Sequence, residues 1–265
     1  MMMLPTPSRT PALSTTQLVL IPSYNSGSQL IPTVRAALAQ WAPVWVVVDG
    51  STDGSDAALQ AYVAATPALE GRLRILVQPV NQGKGAAVLR GMEQALADRF
   101  THALTMDSDG QHPAELIPEF MATARANEGA MVLGKPVFDA SAPRVRVYGR
   151  EISNTWAKLE TLWGGLGDSL YGFRVYPVAD LVAVMQRQRW MRRMDFDPEA
   201  VVRLCWRGVR PINLPAPVRY LTAEEGGISH FHYLRDNALL TWMHFRLLGG
   251  FAVRLPLLLW QRFVG

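Results

Sequence analysis

The sequence predicts an α/β fold: a mostly parallel sheet flanked by helices, with a helical extension at the C-terminus. Three observations carry this. Apolar runs of strand length alternate with longer segments of helical period. The turn-rich polar residues fall just after those short runs. A chain of 265 residues that is 49% hydrophobic can also bury a full-sized core.

The elements follow in order. QLVLIP precedes the helical LIPTVRAALAQW, and VWVVV, too short and too β-branched for a helix, precedes DAALQAYVAA. LRILV leads to AAVLRGMEQALADRF, HALTM leads to AELIPEFMATARA, and AMVLG closes the series. Such a rhythm describes successive βα units, whose right-handed crossovers put the carboxyl ends of the strands on one edge. From about Arg144 the rhythm loosens into a helix (REISNTWAKLETLW), a Gly-rich turn, a strand GFRVY, two more helices and the segment GVRPINLPAPVRYLTAEEGGISHFHY. No internal repeat and no low-complexity linker separates this part, so it reads as an extension of the same core. Residues 1–16, rich in Pro, Ser and Thr and without an apolar core of signal-peptide length, read as a flexible tail.

A net charge of +4 with no basic block gives no indication of a nucleic-acid partner. Lysine occurs only at Lys84, Lys135 and Lys158. The prevalence of arginine suits bidentate phosphate contacts and equally fits codon bias. The single cysteine, Cys205, excludes an internal disulfide and a cysteine-cluster metal site, reads as a small buried hydrophobe, and fits a reducing, cytoplasmic setting.

Residues 233–265 form the most apolar stretch, yet Arg246, Arg254 and Arg262 interrupt it before any run reaches the ~18 residues a spanning helix needs. Two readings stand: an amphipathic helix lying peripherally on the inner face of the plasma membrane, its arginines meeting anionic headgroups, or a helix packed on the domain or on a second subunit.

Four loops share the carboxyl edge. In DSDGQH, Asp107 and Asp109 can turn carboxylates toward one ion and Gln111 can add a neutral oxygen. That hard donor set suits Mg²⁺ or Mn²⁺, although an Asx turn capping the next helix is the structural alternative. In NQGKG, Gly83 and Gly85 would let backbone N–H groups approach an anion, with Lys84 as a point charge, or the stretch is an ordinary turn. In DGSTDGS, Asp49 can accept hydrogen bonds from a nucleobase or ribose with Ser51 assisting, while Asp53 or Ser55 caps the next helix. In PSYNSG, Tyr24 can stack on a flat ring and Asn25 can bond polar groups, with a turn as the alternative. Together the loops converge on a nucleoside diphosphate bound through a divalent metal.

In this order and spacing, PSYN, VVVDGSTDGS, NQGKGAAVLRG, MDSDGQHP, DSLYGFRVY, MDFDPEAVVRLCWRGVRPINLPAPVRY and GGISH resemble the family 2 glycosyltransferases. The branch similar to dolichyl-phosphate mannose synthase is the nearest match in pattern, over about residues 17–232. The resemblance implies a GT-A fold with a Rossmann-like sheet, a nucleotide-binding half at about 17–134 and an acceptor half at about 135–232. It further implies a UDP- or GDP-type nucleotide-sugar donor, Mg²⁺ or Mn²⁺, and inversion at the anomeric carbon. Carried over, Pro22, Tyr24, Asn25 and Asp49 would hold the nucleoside, with Ser51, Gly83 and Lys84 near it. Asp107, Asp109 and Gln111 would hold the metal and diphosphate, with Ser108 beside the nucleotide sugar. The chain departs from the family pattern at Val48, where an acid often stands, at Ser26, where Glu often stands, and at His230, where the mannose-synthase branch tends to show Lys.

In such a transfer an acceptor oxygen displaces the nucleoside diphosphate. A hydroxyl acceptor would need a general base, for which Asp197 and Glu199 are the candidates; the same residues also make a good helix start with Pro198. A phosphate acceptor would need arginines, and Arg174 is the candidate, or else a surface strand arginine. His230 and His232 fit either a diphosphate contact or a solvent-facing pair, and His102 reads as structural. The acceptor expected from the C-terminal segment is lipid-linked, a polyprenyl phosphate or a lipid hydroxyl. A nucleotidyltransferase and a non-catalytic sugar- or lipid-binding protein are the alternatives from other classes.

Overall fold

The computed structural model describes residues 10–138, 144–218 and 232–264. The strands are β1 (Gln17–Ser23), β2 (Val44–Asp49), β3 (Leu73–Gln78), β4 (His102–Thr105), β5 (Ala130–Val137), β6 (Arg174–Pro177) and β7 (Arg210–Pro217). The helices are α1 (Leu30–Gln40), α2 (Ser55–Ala64), α3 (Lys84–Ala97), α4 (Ile117–Ala126), α5 (Arg144–Glu160), α6 (Val178–Gln186), α7 (Phe196–Trp206) and α8 (Tyr233–Val264). The strands form one sheet in the order β3-β2-β1-β4-β6-β5-β7, with β6 antiparallel to both of its neighbours. The α/β class, the mostly parallel sheet and the C-terminal helix are as the sequence predicts.

β1 and β2 are buried along their whole length because helices cover both faces of the sheet. The period-2 alternation divides their side chains between two cores. Leu18, Leu20, Trp45 and Val47 pack with Val88, Met92, Phe196 and Val201 on one face. Val19, Ile21, Val46 and Val48 pack with Val34, Leu38, Ile117 and Phe120 on the other. β7 was not legible as a strand, since Pro211, Pro215 and Pro217 interrupt it. It lies at the edge of the sheet, where a proline without an N–H is tolerated.

Two expectations need correction. Residues 10–16 are docked rather than loose: Leu13 bridges to Ala42, and Arg72 donates to the Pro11 carbonyl at 2.8 Å. Arg246 and Arg254, two of the arginines expected to meet headgroups, also do not face outward, whereas Arg235 at the start of α8 is exposed. Arg246 turns in to Glu199 at 2.9 Å and over the Trp190 ring at 4.2 Å, while Arg254 lies over the Trp206 ring at 4.8 Å. Arg262 lies in the part of α8 whose side chains are not described. With these two turned inward, Leu234, Trp242, Phe245, Val253, Leu257 and Trp260 stand exposed along α8. Tyr148, Ile152 and Trp156 stand exposed on α5, which packs beside it. Between Asn237 and Trp260 no exposed position of α8 carries a charge. Among the described residues, no helix is long and apolar enough to cross a membrane.

Candidate active site

The parallel strands end on one edge. There, where β1 is flanked by β2 on one side and β4 on the other, the loops diverge around a cleft of about 410 Å³. Pro22, Tyr24, Asp49, Gly83, Lys84, Asp107, Ser108, Asp109 and Gln111 lie on its wall. Loops separated by tens of residues in sequence are braced against each other here. Asn25 accepts from the Thr52 N–H at 2.7 Å and gives its own N–H to Ser51 Oγ at 3.1 Å. Asp53 accepts from the Gly27 N–H at 2.8 Å and from the Ser55 N–H at 3.0 Å. Asn25 and Ser51 therefore hold loop to loop, behind the wall of the cleft.

Asp49 is a second brace. Its Oδ1 accepts from Gln78 Nε2 at 2.7 Å and the Gln82 N–H at 2.8 Å, and its Oδ2 accepts from the Gly83 N–H at 2.7 Å. This carboxylate, 1% exposed, is occupied by the NQGKG loop rather than left open for a nucleoside. The glycines of that loop likewise serve the protein itself. A Cβ on Gly83 or Gly85 would collide with the backbone of Arg192 or Met191, and the Ala86 N–H donates to the Arg192 carbonyl at 3.0 Å. The amides of this loop are thus turned to the protein: Gly83 to Asp49, and Ala86 to the MRRM turn that precedes α7.

Ser26, standing where the family often has Glu, links two motifs. Its hydroxyl lies 2.9 Å from Ser23 Oγ and 2.6 Å from Ser108 Oγ, a buried chain that ties the loop after β1 to the loop after β4. Nothing in the local sequence pattern marks Ser26 for this.

Four charges meet at the centre. Lys84 Nζ lies 2.7 Å from Asp107 Oδ1 and 2.7 Å from Asp197 Oδ2. Burial alone would depress the lysine, but the two carboxylates outweigh it and hold the ammonium above its ordinary range. For Asp107, burial is outweighed by the Lys84 charge, which keeps the carboxyl below its ordinary value. Asp109 differs: burial and then the neighbouring Asp107 carboxylate push it up. His112 accepts at Nδ1 from the Asp107 N–H at 2.9 Å, so a neutral ring carries its proton on Nε2. Burial holds that ring below the ordinary histidine value, and it packs edge-on against Tyr171 with centroids 4.8 Å apart.

Three site expectations are corrected by burial. Arg174 is fully buried, donating to the Asp197 carbonyl at 2.7 Å and to Tyr176 Oη at 3.0 Å, so it is a brace behind the site and does not reach the cleft. Glu199 is also fully buried, accepting from Arg203 Nε at 2.7 Å and from both terminal nitrogens of Arg246 at 3.0 and 2.9 Å. A general base has to reach its proton, and Glu199 does not line the cleft. Asp197 lies inside α7 rather than at its cap, and its Oδ2 is committed to Lys84. His102 is structural, with Nε2 3.0 Å from the Glu128 carbonyl, and burial pushes the Cys205 thiol up to about 12. His230 lies outside the described residues; His232 is on the cleft wall. Arg193, Met194 and Arg235 also line the mouth, and the sequence reading missed them. The available signal was MRRM directly before the acidic MDFD motif.

The donor set fits a hard divalent ion. Asp107 and Asp109 bring two carboxylates together, and Asp109 is pushed up first by burial and then by the Asp107 charge, both of which a bound cation would offset. Among the described residues no group of three or more His, Cys, Asp or Glu side chains is placed to hold a metal ion. Mg²⁺ and Mn²⁺ need no such group, since they complete their shells with water and substrate phosphates. Asp107, Asp109 and Gln111 are the residues that would hold such an ion.

A family model described as Glycosyl transferase family 2 matches residues 18–180. The chain is 27% identical over 165 residues to polyprenol monophosphomannose synthase of Mycolicibacterium smegmatis, covering 60% of each protein. It is 26% identical over 213 residues to a dolichyl-phosphate beta-glucosyltransferase of Trichomonas vaginalis, covering 69% of this chain and 58% of that one. The chain thus spans about 60% of the length of these relatives. Among solved structures it resembles glucosyl-3-phosphoglycerate synthase from Mycobacterium tuberculosis in complex with Mn²⁺, UDP and phosphoglyceric acid. That match has TM-score 0.57 and 17% identity, over 82% of this chain and 78% of that one. At this identity the likeness is one of fold, and the fold is of the GT-A type.

Proposed function

The chain belongs to glycosyl transferase family 2, and on that premise we propose that it moves a sugar from a nucleoside-diphosphate sugar to an acceptor phosphate carried on a lipid, with inversion at the anomeric carbon. The observation that carries the reading is the Asp107–Asp109 carboxylate pair, set beside the Lys84 ammonium at the point where the sheet order reverses. The names of the two relatives, a polyprenol monophosphomannose synthase and a dolichyl-phosphate glucosyltransferase, support the lipid-phosphate acceptor. The Mn²⁺ and UDP bound by the structural neighbour support the metal and the donor.

The reaction is one in-line displacement. The acceptor oxygen forms a bond to the anomeric carbon while that carbon's bond to the diphosphate oxygen breaks. Asp107, Asp109 and Gln111 would hold a divalent ion, which when bound would supply electrostatic stabilisation of the leaving diphosphate. The wall of the cleft favours an already ionised acceptor. Its carboxylates among the described residues are Asp49, Asp107 and Asp109; the first is saturated by its own loops, and the second is paired with Lys84 and, with the third, belongs to the proposed metal set. With no carboxylate base left free outside the proposed metal set, a phosphate acceptor, which needs none, fits better than a hydroxyl. Arg193 and Arg235 put positive charge at the mouth, where such a phosphate would enter.

A panel of UDP- and GDP-sugars with Mn²⁺, with polyprenyl phosphate or the free polyprenol as acceptor, tests this. Glycosylation of the phosphate by the native protein, and loss of about 100-fold or more in Asp109→Ala, are expected. Nucleoside diphosphate release that survives Asp109→Ala refutes the metal, and pyrophosphate formed from a sugar phosphate and a nucleoside triphosphate would mark a nucleotidyltransferase instead.

We place the enzyme peripherally on a membrane, because α8 carries no exposed charge between Asn237 and Trp260, and Tyr148, Ile152 and Trp156 stand exposed on the adjoining α5, beside the single exposed acid Glu151. Trp242→Glu with Phe245→Glu should abolish co-sedimentation with anionic vesicles and leave turnover of a short-chain, soluble acceptor intact. Unchanged sedimentation counts against the placement.

A further inference from the structure

We propose that Lys84 is the resident cation of the donor-free site, and that a divalent ion enters only together with a diphosphate that gives the ammonium a new partner. The proposal rests on the reading above and concerns how this chain's own residues control metal entry.

The geometry makes Lys84 a competitor for a metal ligand. Its Nζ binds Asp107 Oδ1 at 2.7 Å, and Asp107 is one of the two carboxylates that would hold the ion. The lysine is also tethered from the far side, by Asp197 Oδ2 at 2.7 Å. Asp197 is itself fixed from behind, because Arg174 grips its carbonyl at 2.7 Å and stands 3.9 Å from Oδ1. That Oδ1 is buried and has no hydrogen-bond partner, so the Asp197 carboxylate keeps spare capacity to hold the ammonium after Asp107 is released. The Lys84–Asp107 pair lies so close to Gly172 that a Cβ there would be 2.8 Å from Nζ and 3.1 Å from Asp107 Oδ2. The space is shaped for this ion pair.

Charge then dictates the order. A dication arriving alone meets an ammonium a few ångströms from its ligand, and a diphosphate arriving alone meets the carboxylates of Asp107 and Asp109. Arriving together, the ion takes Asp107 and Asp109, while Lys84 stays on Asp197 and turns its remaining donors to the phosphates. Such coupling is reciprocal: the nucleotide raises metal affinity by the factor by which the metal raises nucleotide affinity.

The test is Mn²⁺ binding to the full chain by EPR, without nucleotide and with UDP or GDP, in the native protein, Lys84→Met and Lys84→Arg. The native protein should bind Mn²⁺ at least about 10-fold more tightly with one of the nucleotides. Lys84→Met should gain about 10-fold or more in nucleotide-free affinity, the repulsion from a unit charge near a dication being removed. Lys84→Arg should stay close to native. Equal Mn²⁺ affinity of the native protein with and without nucleotide overturns the proposal, and needs no variant to fold. No gain in a folded Lys84→Met also overturns it. If the native protein binds no Mn²⁺ even with either nucleotide, the metal-dependent part of the reading above fails and the inference goes with it.

Discussion

Replacing Glu199 with glutamine separates a structural anchor from a catalytic base. The side chain is fully buried and accepts three hydrogen bonds from Arg203 and Arg246, at 2.7, 3.0 and 2.9 Å. Glutamine keeps the size, removes the charge and turns an NH₂ group toward one of the guanidinium groups. Arg246 would then keep only its 3.6 Å contact with Asp195 as an ion pair. Breaking a buried pair from one side costs about 3–5 kcal/mol. For a chain of this size, the lower figure corresponds to a fall in Tm of roughly 6–12 °C. Because Arg246 belongs to α8, the loss should appear first as undocking of that helix, read as increased proteolysis or hydrogen exchange over residues 233–264. Urea denaturation measures the stability and transfer from the nucleotide sugar at 10–15 °C below the variant's Tm measures the chemistry; kcat within about 3-fold of native is expected there. A general base would behave in the opposite way, with stability unchanged and kcat lower by about 100-fold or more. That result would refute the anchoring argument.

Two further outcomes follow from the centre of the cleft. Gly172→Ala should fold almost normally, since the atoms it crowds, Lys84 Nζ at 2.8 Å and the Asp107 carboxylate oxygens at 3.1 and 3.3 Å, are side-chain ends rather than backbone. Displacing the Lys84–Asp107 pair should nevertheless lower donor turnover by about 10-fold or more, and unchanged turnover in a folded variant would show more room than the 2.8 Å approach allows. The raised Asp109 carboxyl also predicts a pH dependence in Mn²⁺ affinity measured with nucleotide present. Its folded value lies above the unfolded carboxylate value of about 3.9, so the metal-free native state takes up this proton first, and the group's destabilising effect at neutral pH is relieved as pH falls. Mn²⁺ must displace that proton. Its affinity, and the Tm rise it causes, should therefore shrink as pH falls through the raised Asp109 value, and Asp109→Asn should remove this pH dependence along with most of the affinity. Asp107, held low by Lys84, has the opposite sign: its stabilising contribution is present above the unfolded value and is lost only at more acid pH. An affinity flat from neutral pH down to the ordinary carboxyl range would contradict the account of Asp109.

The departures from the sequence reading share a pattern. Ser26, Asp49, Arg174 and Glu199 carry polar groups that a motif scan assigns to ligands or leaves unassigned, and each is instead engaged by another part of the protein. Gly83 and Gly85 were legible as positions of close approach. What approaches them is the turn before α7, more than 100 residues later in the chain.

By itself the sequence determined the strand and helix rhythm, the edge where the loops gather and the family motifs on it. Hydrophobic period and turn chemistry are local properties, readable within a window of ten or fifteen residues. Only the tertiary structure decided the partner of each charge: Lys84 meets Asp197 across 113 residues, and Arg246 meets Glu199 across 47. It also turned Arg246 and Arg254 inward and left α8 with no exposed charge between Asn237 and Trp260. A buried charge must find a counter-charge wherever the packed elements bring one within about 3 Å, and that choice belongs to the assembled core rather than to any stretch of chain.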